Sequence, residues 1–236
     1  MPTNQYKVLA IIPARAGSKG VVGKNKRKLA GIPLIEYSIR QAISAQCVTD
    51  VCVSSDDQEI LRLCEEYPIH IVNRPAEIAR DDSSVVDACK HAINQLKKAH
   101  NSTDFKAIVL LQPTSPFRTS EDIDSAIEKF KQNSNIPLCS VSQCEDAHPA
   151  RMYSMEGGCL ISLFPDLARK RRQELPAIFH RNGALYIFSQ AHLDSGELIA
   201  GKMQPYVMPP EKSINIDTEL DFALAELVLQ RMNGIG

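Results

Sequence analysis

The sequence lacks any apolar stretch as long as a membrane-spanning helix, and its first residues lack the apolar core of a signal peptide. It also lacks an excess of positive charge, because 27 Lys and Arg residues face 28 Asp and Glu residues and the formal net charge is −1. Proteins that bind duplex nucleic acid normally carry a marked basic excess. We therefore expect a soluble, cytoplasmic protein that binds neither nucleic acid nor membranes and whose partners are small molecules.

The seven cysteines include no Cys-x-x-Cys pair, and most of them lie inside apolar runs, where a free cysteine behaves as a small hydrophobic residue. This usage argues against a disulfide framework or a zinc site and favours a reducing compartment. Hydrophobic residues make up 44% of the chain and charged residues 23%, which excludes a disordered, collagen-like or coiled-coil protein. A length of 236 residues suits one domain, residues 1–236.

Short apolar runs alternate with amphipathic helical patterns along most of the chain. Strands are predicted at residues 8–12, 51–54, 69–72, 107–111, 183–189 and 206–208. Helices are predicted to begin near Pro33, Asp57, Ser83, Thr119 and Thr218, the last one bearing Leu220, Ala223, Leu224, Leu227 and Val228. The alternation predicts an α/β fold, with a Rossmann-like, mostly parallel sheet covered by helices on both faces.

The alternating pattern stops after Leu138. Residues 139–180 contain a Gly157-Gly158 turn and the basic run Arg169–Arg172, but no long periodic helix. We predict that this segment is a hairpin-and-helix excursion from the main sheet and not a second domain.

A loop rich in glycine and basic residues follows the first strand. It runs from Pro13 to Gly20 and continues to Lys24 and Asn25. In a parallel α/β sheet such a loop lies at the carboxyl end of its strand, where ligands bind. Its glycine N–H groups, together with Arg15, Lys19 and Lys24, suit phosphate oxygens, although the loop matches neither the P-loop nor the dinucleotide motif. The alternative is a mobile basic turn on the surface.

A second loop, from Gln112 to Arg118, leaves the end of another buried strand. Its two prolines restrict the backbone, so that the polar residues could recognise hydroxyls and amides of a ligand without a large ordering cost. These polar residues are Gln112, Thr114, Ser115 and Arg118. The alternative is that the prolines only end the strand and Thr119 caps the next helix.

Two further segments carry polar side chains. Asn215 and Asp217 share one face of an extended stretch, and such oxygen donors suit Mg²⁺ together with water and substrate phosphates. Alternatively, Asp217 only favours the N-terminus of the following helix. The run His180–Gly183 precedes a strand, with Arg172 upstream, and could equally be a solvated basic turn.

Several motifs follow one another along the chain: IIPARAGSKG with Lys24-Asn25, NRPAEIA followed by Ser83-Ser84, LLQPTSPFR, HRNGALYIF and INIDTELDF. In this order they resemble the acylneuraminate cytidylyltransferases, or CMP-sialic acid synthetases, over nearly the whole length. The resemblance implies a fold of the nucleotide-diphospho-sugar transferase type. It also implies that the chain uses CTP and Mg²⁺ (or Mn²⁺) to activate a nine-carbon 2-keto sugar acid, such as sialic acid or a legionaminic or pseudaminic relative, with release of pyrophosphate.

The resemblance also assigns roles to residues. The catalytic residues would be Arg15, Lys19 and Asp217. The nucleotide would be held by Arg15, Gly17, Ser18, Lys24, Asn25, Arg74 and Ser84. The sugar acid would be held by Gln112, Arg151, Arg172, His180 and Asn182. Residues 139–180 would form a dimerisation segment, and Arg151 would reach the sugar site of the partner in a homodimer with a shared site.

The chain departs from the family at one position, because the usual Asp-x-Asp pair begins here with Asn215. Asparagine can offer a neutral oxygen to a metal but cannot act as a base, so Asp217 is the main metal candidate and Asn215 the second. Two other functions stay open: cytidylyl transfer to 3-deoxy-manno-octulosonate, and a nucleotide-binding protein with impaired catalysis.

Overall fold

A computed structural model describes residues 6–17, 20–80, 82–100, 104–144, 146–196, 198 and 201–232. Its strands are β1 (Val8–Pro13), β2 (Lys28–Leu29), β3 (Ile32–Pro33), β4 (Asp50–Ser55), β5 (His70–Asn73), β6 (Ala107–Leu111), β7 (Leu138–Gln143), β8 (Tyr153–Glu156), β9 (Cys159–Ser162), β10 (Phe179–Phe188) and β11 (Gln204–Val207). Its helices are α1 (Leu34–Ser44), α2 (Gln58–Cys64), α3 (Val85–His100), α4 (Ser120–Gln132), α5 (Pro165–Ala168), α6 (Gln190–Ser195) and α7 (Glu219–Met232).

The central sheet has seven strands in the order β11-β7-β10-β6-β1-β4-β5. Strand β1 pairs in parallel with β4 and β6, β4 with β5, and β11 with β7, while β10 runs antiparallel to both of its neighbours. The predicted mostly parallel sheet is therefore confirmed. The carboxyl ends of β1, β4, β5 and β6 meet at one edge of the sheet, as does the start of β10.

Helices cover both faces of the sheet because the buried strands are apolar on both sides. In β1, Val8, Ala10 and Ile12 pack with residues of α1, α2 and α4, whereas Leu9 and Ile11 pack with residues of α3 and α6. Helix α4 begins at the predicted place. The Thr119 hydroxyl accepts a hydrogen bond from the Asp122 amide, and the Asp122 carboxylate accepts one from the Thr119 amide.

A third, smaller core lies below the carboxyl edge of the sheet. It joins the glycine-rich loop, the second loop, the stretch before α7 and α7 itself, through Val21, Phe117, Ile216 and Phe222, all of which are buried. This packing brings together loops that are nearly 200 residues apart in the sequence, and it gives each a fixed apolar anchor.

The buried residues of helix α7 differ from the apolar residues by which its sequence predicted the helix. Phe222 and Ala225 face the third core, while Leu220, Leu224 and Leu227 are exposed. The helix has more apolar residues than one face can hold. The sequence therefore does not indicate which face packs against the core. No helix within the described part of the chain is both long and apolar enough to cross a membrane.

The predicted boundary of the excursion at residue 139 is wrong. Strand β7 lies within the central sheet between β10 and β11, and residues 179 and 180 belong to β10, so the excursion outside the sheet lies between these strands. Its main element is the hairpin of β8 and β9, which turns at Gly157 and Gly158, both with positive φ as a tight turn requires. Strand β7 is buried on both faces, so buried and exposed residues do not alternate along it. It therefore lacks the two-residue period of burial that is typical of a strand with one face in solvent.

Candidate active site

A cleft of about 590 Å³ opens at the carboxyl edge of the sheet. Its walls come from the loops after β1, β5 and β6 and from the stretch before α7. They include Arg15, Gly20, Lys24, Asn25, Arg74, Arg80, Ser83, Ser84, Gln112, Thr114, Asn215 and Asp217. Four basic side chains therefore line the same cleft as one carboxylate. This charge balance favours an anionic ligand.

Hydrogen bonds hold the glycine-rich loop in place. The Asn25 side chain, which is buried, donates to the Arg15 carbonyl at 3.1 Å. The Ala16 amide donates to the Asp56 carboxylate at 2.9 Å, and the Arg15 guanidinium donates to the Arg80 carbonyl at 3.1 Å. The described part of the loop is thus anchored to the neighbouring segments, which argues against a mobile surface turn.

The resemblance also gives roles at the nucleotide to Gly17, Ser18 and Lys19 of this loop. Gly17 lies in the described loop, and a Cβ built on it would meet nothing within 4 Å. Ser18 and Lys19 lie outside the described residues. Their expected roles toward the nucleotide stay predictions.

The stretch before α7 closes the cleft beside this loop. Gly20 packs so closely on it that an added Cβ would lie 1.9 Å from the Asp217 carbonyl oxygen. The Lys24 ammonium donates to the Ile216 carbonyl at 2.7 Å and to the Asp217 carboxylate at 3.0 Å. The Asn215 amide donates to the other oxygen of the same carboxylate. Lys24 and Asn215 therefore hold Asp217 from two sides.

The cap of α7 is formed by a different acidic residue. The carboxylate of Asp221 accepts hydrogen bonds from the amides of Asp217 at 3.1 Å and Thr218 at 2.8 Å. These bonds contribute to a lowered pKa of Asp221, for which the Thr218 hydroxyl is the largest cause. Because Asp221 provides the cap, the Asp217 carboxylate is left for other contacts, which argues against the alternative that Asp217 serves only the helix.

Asp217 and Asn215 are the residues that could hold a divalent cation. Within the described residues, no group of three or more His, Cys, Asp or Glu side chains could hold a metal. Mg²⁺ needs no such cage, since it keeps several waters and is commonly bound by one or two carboxylates together with substrate phosphates. One carboxylate and one amide oxygen in a basic, phosphate-sized cleft fit Mg²⁺ bound jointly by protein and nucleotide.

Arg74 and Ser84 lie on the wall formed after β5. Arg74 is buried, and its guanidinium donates to the hydroxyl of Ser54 at 3.1 Å and to the Ser54 carbonyl at 2.6 Å. Burial lowers the pKa of Arg74, while nearby Asp56 opposes that shift. The Ser84 hydroxyl accepts a hydrogen bond from the Val86 amide at 3.1 Å, at the start of α3. Both side chains are thus fixed before any ligand binds.

A second cavity of about 430 Å³ adjoins the cleft, and the two share Gln112 and Asn215 as wall residues. His180 and Asn182 line it from β10. The buried Asn182 amide is fully engaged within the protein, since it donates to Ser213 and accepts from Ser140. Asn182 therefore shapes the wall of this cavity, while the more exposed His180 faces it.

Arg151 and Arg172 lie elsewhere in this chain. They line a separate cavity of about 250 Å³ next to Asp146, whose carboxylate lies 3.2 Å from the Arg172 guanidinium. A further cavity, lined by Asp146 and His180, shares wall residues with both neighbours. The structure thus brings Gln112, His180 and Asn182 together and leaves the two arginines outside that group.

Arg118 differs from the expectation that it helps to recognise a ligand. Its side chain is 1% exposed and turns into the protein, so it does not line the cleft. Arg80 and Asp56, in contrast, were missed by sequence reasoning. Asp56 directly follows β4 at the carboxyl edge, and this position was the signal that could have identified it.

A family model described as cytidylyltransferase matches residues 9–230. The chain belongs to the cytidylyltransferase family. Its basic cleft at the carboxyl edge of the sheet agrees with an enzyme family whose substrate carries a triphosphate.

Several relatives of this chain carry names that state an activity. N-acylneuraminate cytidylyltransferase of Escherichia coli O18:K1:H7 is 33% identical over 96% of this chain and 53% of its own length. CMP-N,N'-diacetyllegionaminic acid synthase of Legionella pneumophila is 33% identical over 95% of this chain and 97% of its own length. N-acylneuraminate cytidylyltransferase A of Danio rerio is 31% identical. The chain spans about half the length of the E. coli and zebrafish proteins.

Solved structures share the fold of this chain. A CMP:2-keto-3-deoxy-manno-octonic acid synthetase complexed with CTP superposes with a TM-score of 0.69, over 96% of this chain and 99% of that one, at 15% identity. A 4-diphosphocytidyl-2C-methyl-D-erythritol synthase gives 0.63, over 95% and 99%, at 13% identity. The fold class expected from the sequence, of the nucleotide-diphospho-sugar transferase type, is therefore confirmed.

Proposed function

We propose that this chain transfers the cytidylyl group of CTP to the anomeric hydroxyl of a nine-carbon 2-keto sugar acid of the sialic or legionaminic type. The names of the E. coli and Legionella relatives support the substrate class. The cytoplasmic location and the lack of nucleic-acid partners stay predictions from the composition.

One observation carries this proposal: the basic cleft and the adjoining cavity meet at Gln112 and Asn215. A nucleotide in the cleft and a sugar acid in the second cavity would therefore meet at their common wall. Such a junction holds two reactants next to each other and replaces a bimolecular encounter by an oriented one.

The reaction exchanges one bond to phosphorus for another. The anomeric oxygen of the sugar acid attacks the α-phosphorus of CTP and forms a new P–O bond. The bond from the α-phosphorus to the bridging oxygen breaks, pyrophosphate leaves with that electron pair, and the hydroxyl proton passes to water. The protein must neutralise the charge on the transferred group and on the leaving group, with little covalent chemistry of its own.

The side chains around the cleft provide that neutralisation. We assign Arg15 and Lys24 to the triphosphate, because both reach the cleft from the anchored glycine-rich loop. We assign Arg74 and Ser84 to the cytidine end, on the wall formed after β5, where prior hydrogen bonds fix their positions. Gln112, at the junction, faces the sugar acid.

Asp217, with Asn215 beside it, would hold Mg²⁺ against the triphosphate. When bound there, the ion supplies positive charge to the leaving pyrophosphate. Asn215 cannot accept the hydroxyl proton as a carboxylate would, and both oxygens of Asp217 already accept hydrogen bonds from Lys24 and Asn215. The chain therefore works mainly by positioning and charge.

We further propose a homodimer that forms through the hairpin of β8 and β9. Met155 and Leu160 face each other across this hairpin and are 75% and 64% exposed, and Tyr153, Ile161 and Phe164 are exposed nearby. Proteins that remain monomeric rarely expose such an apolar patch. A second copy of the chain is the proposed occupant, and its Arg151 would then reach the sugar site of this chain.

A pyrophosphate-release assay tests the function. The chain is incubated with CTP, Mg²⁺ and, in turn, N-acetylneuraminic acid, diacetyllegionaminic acid, a pseudaminic acid and 3-deoxy-manno-octulosonate. ATP and GTP replace CTP as controls for the base. We expect release only with CTP and a nine-carbon acid.

Two outcomes would contradict the proposal in different ways. Turnover with the eight-carbon acid alone would identify a different substrate class. No turnover with any acid, although calorimetry shows that CTP binds, would identify a nucleotide-binding chain that has lost catalysis.

A further inference from the structure

Arg118 carries a buried positive charge that the proposed reaction does not use. Its guanidinium is 1% exposed, and no carboxylate among the described residues lies within ion-pair distance of it. Burial lowers the pKa of Arg118 to about 9, which still leaves the side chain charged at neutral pH. Nε has no hydrogen-bond partner in the part of the chain that the structure describes. Asp122 opposes this shift of the pKa from beyond ion-pair distance, but its carboxylate also binds Lys212. A buried charge without a direct ion pair is costly and calls for a structural reason.

The guanidinium joins three segments of the chain. One terminal nitrogen, Nη1, lies 2.9 Å from the Gln112 carbonyl oxygen, 2.8 Å from that of Ser115 and 3.0 Å from that of Ala184, and its two N–H groups are shared among these three acceptors. The other, Nη2, donates to the hydroxyl of Ser38 in α1. The loop after β6, the irregular part of β10 and α1 therefore all depend on one side chain.

These contacts lie directly behind the junction of the two cavities. The ladder between β10 and β7 is irregular between Arg181 and Tyr186, where Gly183 has a φ of +76°. A Cβ at Gly183 would lie 2.8 Å from Oε1 of Gln112, so the Gln112 side chain packs against that backbone. Ser115 continues the connection, because its hydroxyl donates to the Asn182 carbonyl at 3.2 Å.

Arg118 thus connects the two walls of the second cavity from behind. Gln112 stands on one wall and Asn182 with Gly183 on the other, and the guanidinium binds a carbonyl on each side. The wall proposed for cytidine is built differently, since Arg74 there is held by Ser54. A change at Arg118 should therefore alter the second cavity more than the cytidine end.

We propose that Arg118 is a positioning residue that sets the spacing between Gln112 and β10, and through this spacing the affinity for the sugar acid. The inference rests on the proposed function, because it assigns the second cavity to that substrate. A core residue that only stabilised the fold would affect all substrates alike.

Two substitutions test the proposal. Arg118→Lys keeps a positive charge, but the lysine ammonium cannot reach the carbonyls of both walls. Ser38→Ala removes one hydrogen-bond acceptor and leaves the Arg118 guanidinium in place. Loss of one hydrogen bond to a charged group corresponds to roughly a tenfold change in an equilibrium constant. We expect KM for the sugar acid to rise about tenfold in Ser38→Ala and more in Arg118→Lys. KM for CTP and its affinity measured by calorimetry should stay close to the wild-type values.

Ile127→Val is the matched control. Ile127 is buried in α4 and packs in the core away from both cavities. This substitution should lower the thermal unfolding temperature without changing the ratio of KM for the sugar acid to KM for CTP. If Arg118→Lys does not fold, Ser38→Ala alone decides the matter.

The outcomes separate the two proposals. An active wild type in which Ser38→Ala or Arg118→Lys raises both KM values equally, or neither, would overturn the role of Arg118 and leave the proposed function intact. A wild type that releases no pyrophosphate with any sugar acid would overturn the proposed function and this inference with it.

Discussion

Gly20 provides the sharpest test of the cleft geometry. A Cβ at this position would lie 1.9 Å from the Asp217 carbonyl oxygen, whereas real Cβ atoms essentially never come closer than 3.0 Å to such a neighbour. The obstacle is backbone and not the end of a flexible side chain. In Gly20→Ala, the glycine-rich loop and the stretch that carries Asp217 must therefore separate by about 1 Å.

The cost of that separation can be estimated. Lys24 follows Gly20 on the same loop and donates to both Ile216 and Asp217, so a shift of the loop changes the distance between the proposed phosphate and metal groups. A misplacement of about 1 Å in a catalytic site can cost roughly 10²-fold in rate. We expect Gly20→Ala to lower kcat/KM for CTP by about that factor, or about 2.7 kcal/mol of transition-state stabilisation.

Val22→Ala is the matched control in this experiment. Val22 lies on the same loop, its side chain is 89% exposed, and it has no assigned role in binding. Pyrophosphate release measures both variants, and circular dichroism verifies that both are folded. Equal losses in the two variants, or activity of Gly20→Ala close to the wild-type value, would refute the argument from the Gly20–Asp217 contact.

Four further predictions concern the site and the fold. Arg15→Ala should lower kcat/KM for CTP by about 10²–10³-fold in a folded protein, and near-normal kinetics would contradict the phosphate role. Asn215→Asp should lower the Mg²⁺ concentration that gives half-maximal rate, which a metal titration measures. Mixed Arg151→Ala and Asp217→Ala chains should regain activity through hybrid dimers, and a monomer by light scattering would count against the shared site. Thr119→Ala should lower the free energy of unfolding in urea by about 1 kcal/mol, because it removes a helix cap.

Much of the fold could be predicted because the local signals agree with the final packing. The apolar run of β6 and the capping pattern before α4 appear in the structure where the sequence placed them. The fold prediction fails where the same stretch of sequence is compatible with more than one way of packing. Strand β7 shows no alternation because the sheet buries both of its faces, and α7 has apolar residues on more than one side.

The sequence predicted which segments form the site, but it did not predict which side chains in those segments contact each other. Position at the carboxyl ends of strands was enough to group Arg15 with Gln112 in one region. The direction of a side chain depends on partners that are distant in sequence. Arg118 turns inward because carbonyls of Gln112 and Ala184 lie behind the loop, and no local pattern indicates that. The cap of α7 by Asp221 is the opposite case, because its partners Asp217 and Thr218 are only four and three residues away and the Thr218–Asp221 pattern is visible in the sequence.

The pair of Lys24 and Asp217 indicates how the cleft changes when substrates enter. In the structure these two proposed ligand-binding groups bind each other at 3.0 Å, with Lys24 12% and Asp217 63% exposed. An ion pair with one well-solvated partner contributes only about 0–1 kcal/mol, so its exchange costs little. Lys24 can turn its charge to a phosphate while it keeps its hydrogen bond to the Ile216 carbonyl, and that movement leaves one oxygen of Asp217, Oδ1, free for a cation. Binding of the anion and of the cation would thus favour each other. An anion that binds Lys24 releases Asp217 for the cation, and a cation that binds Asp217 releases Lys24 for the anion.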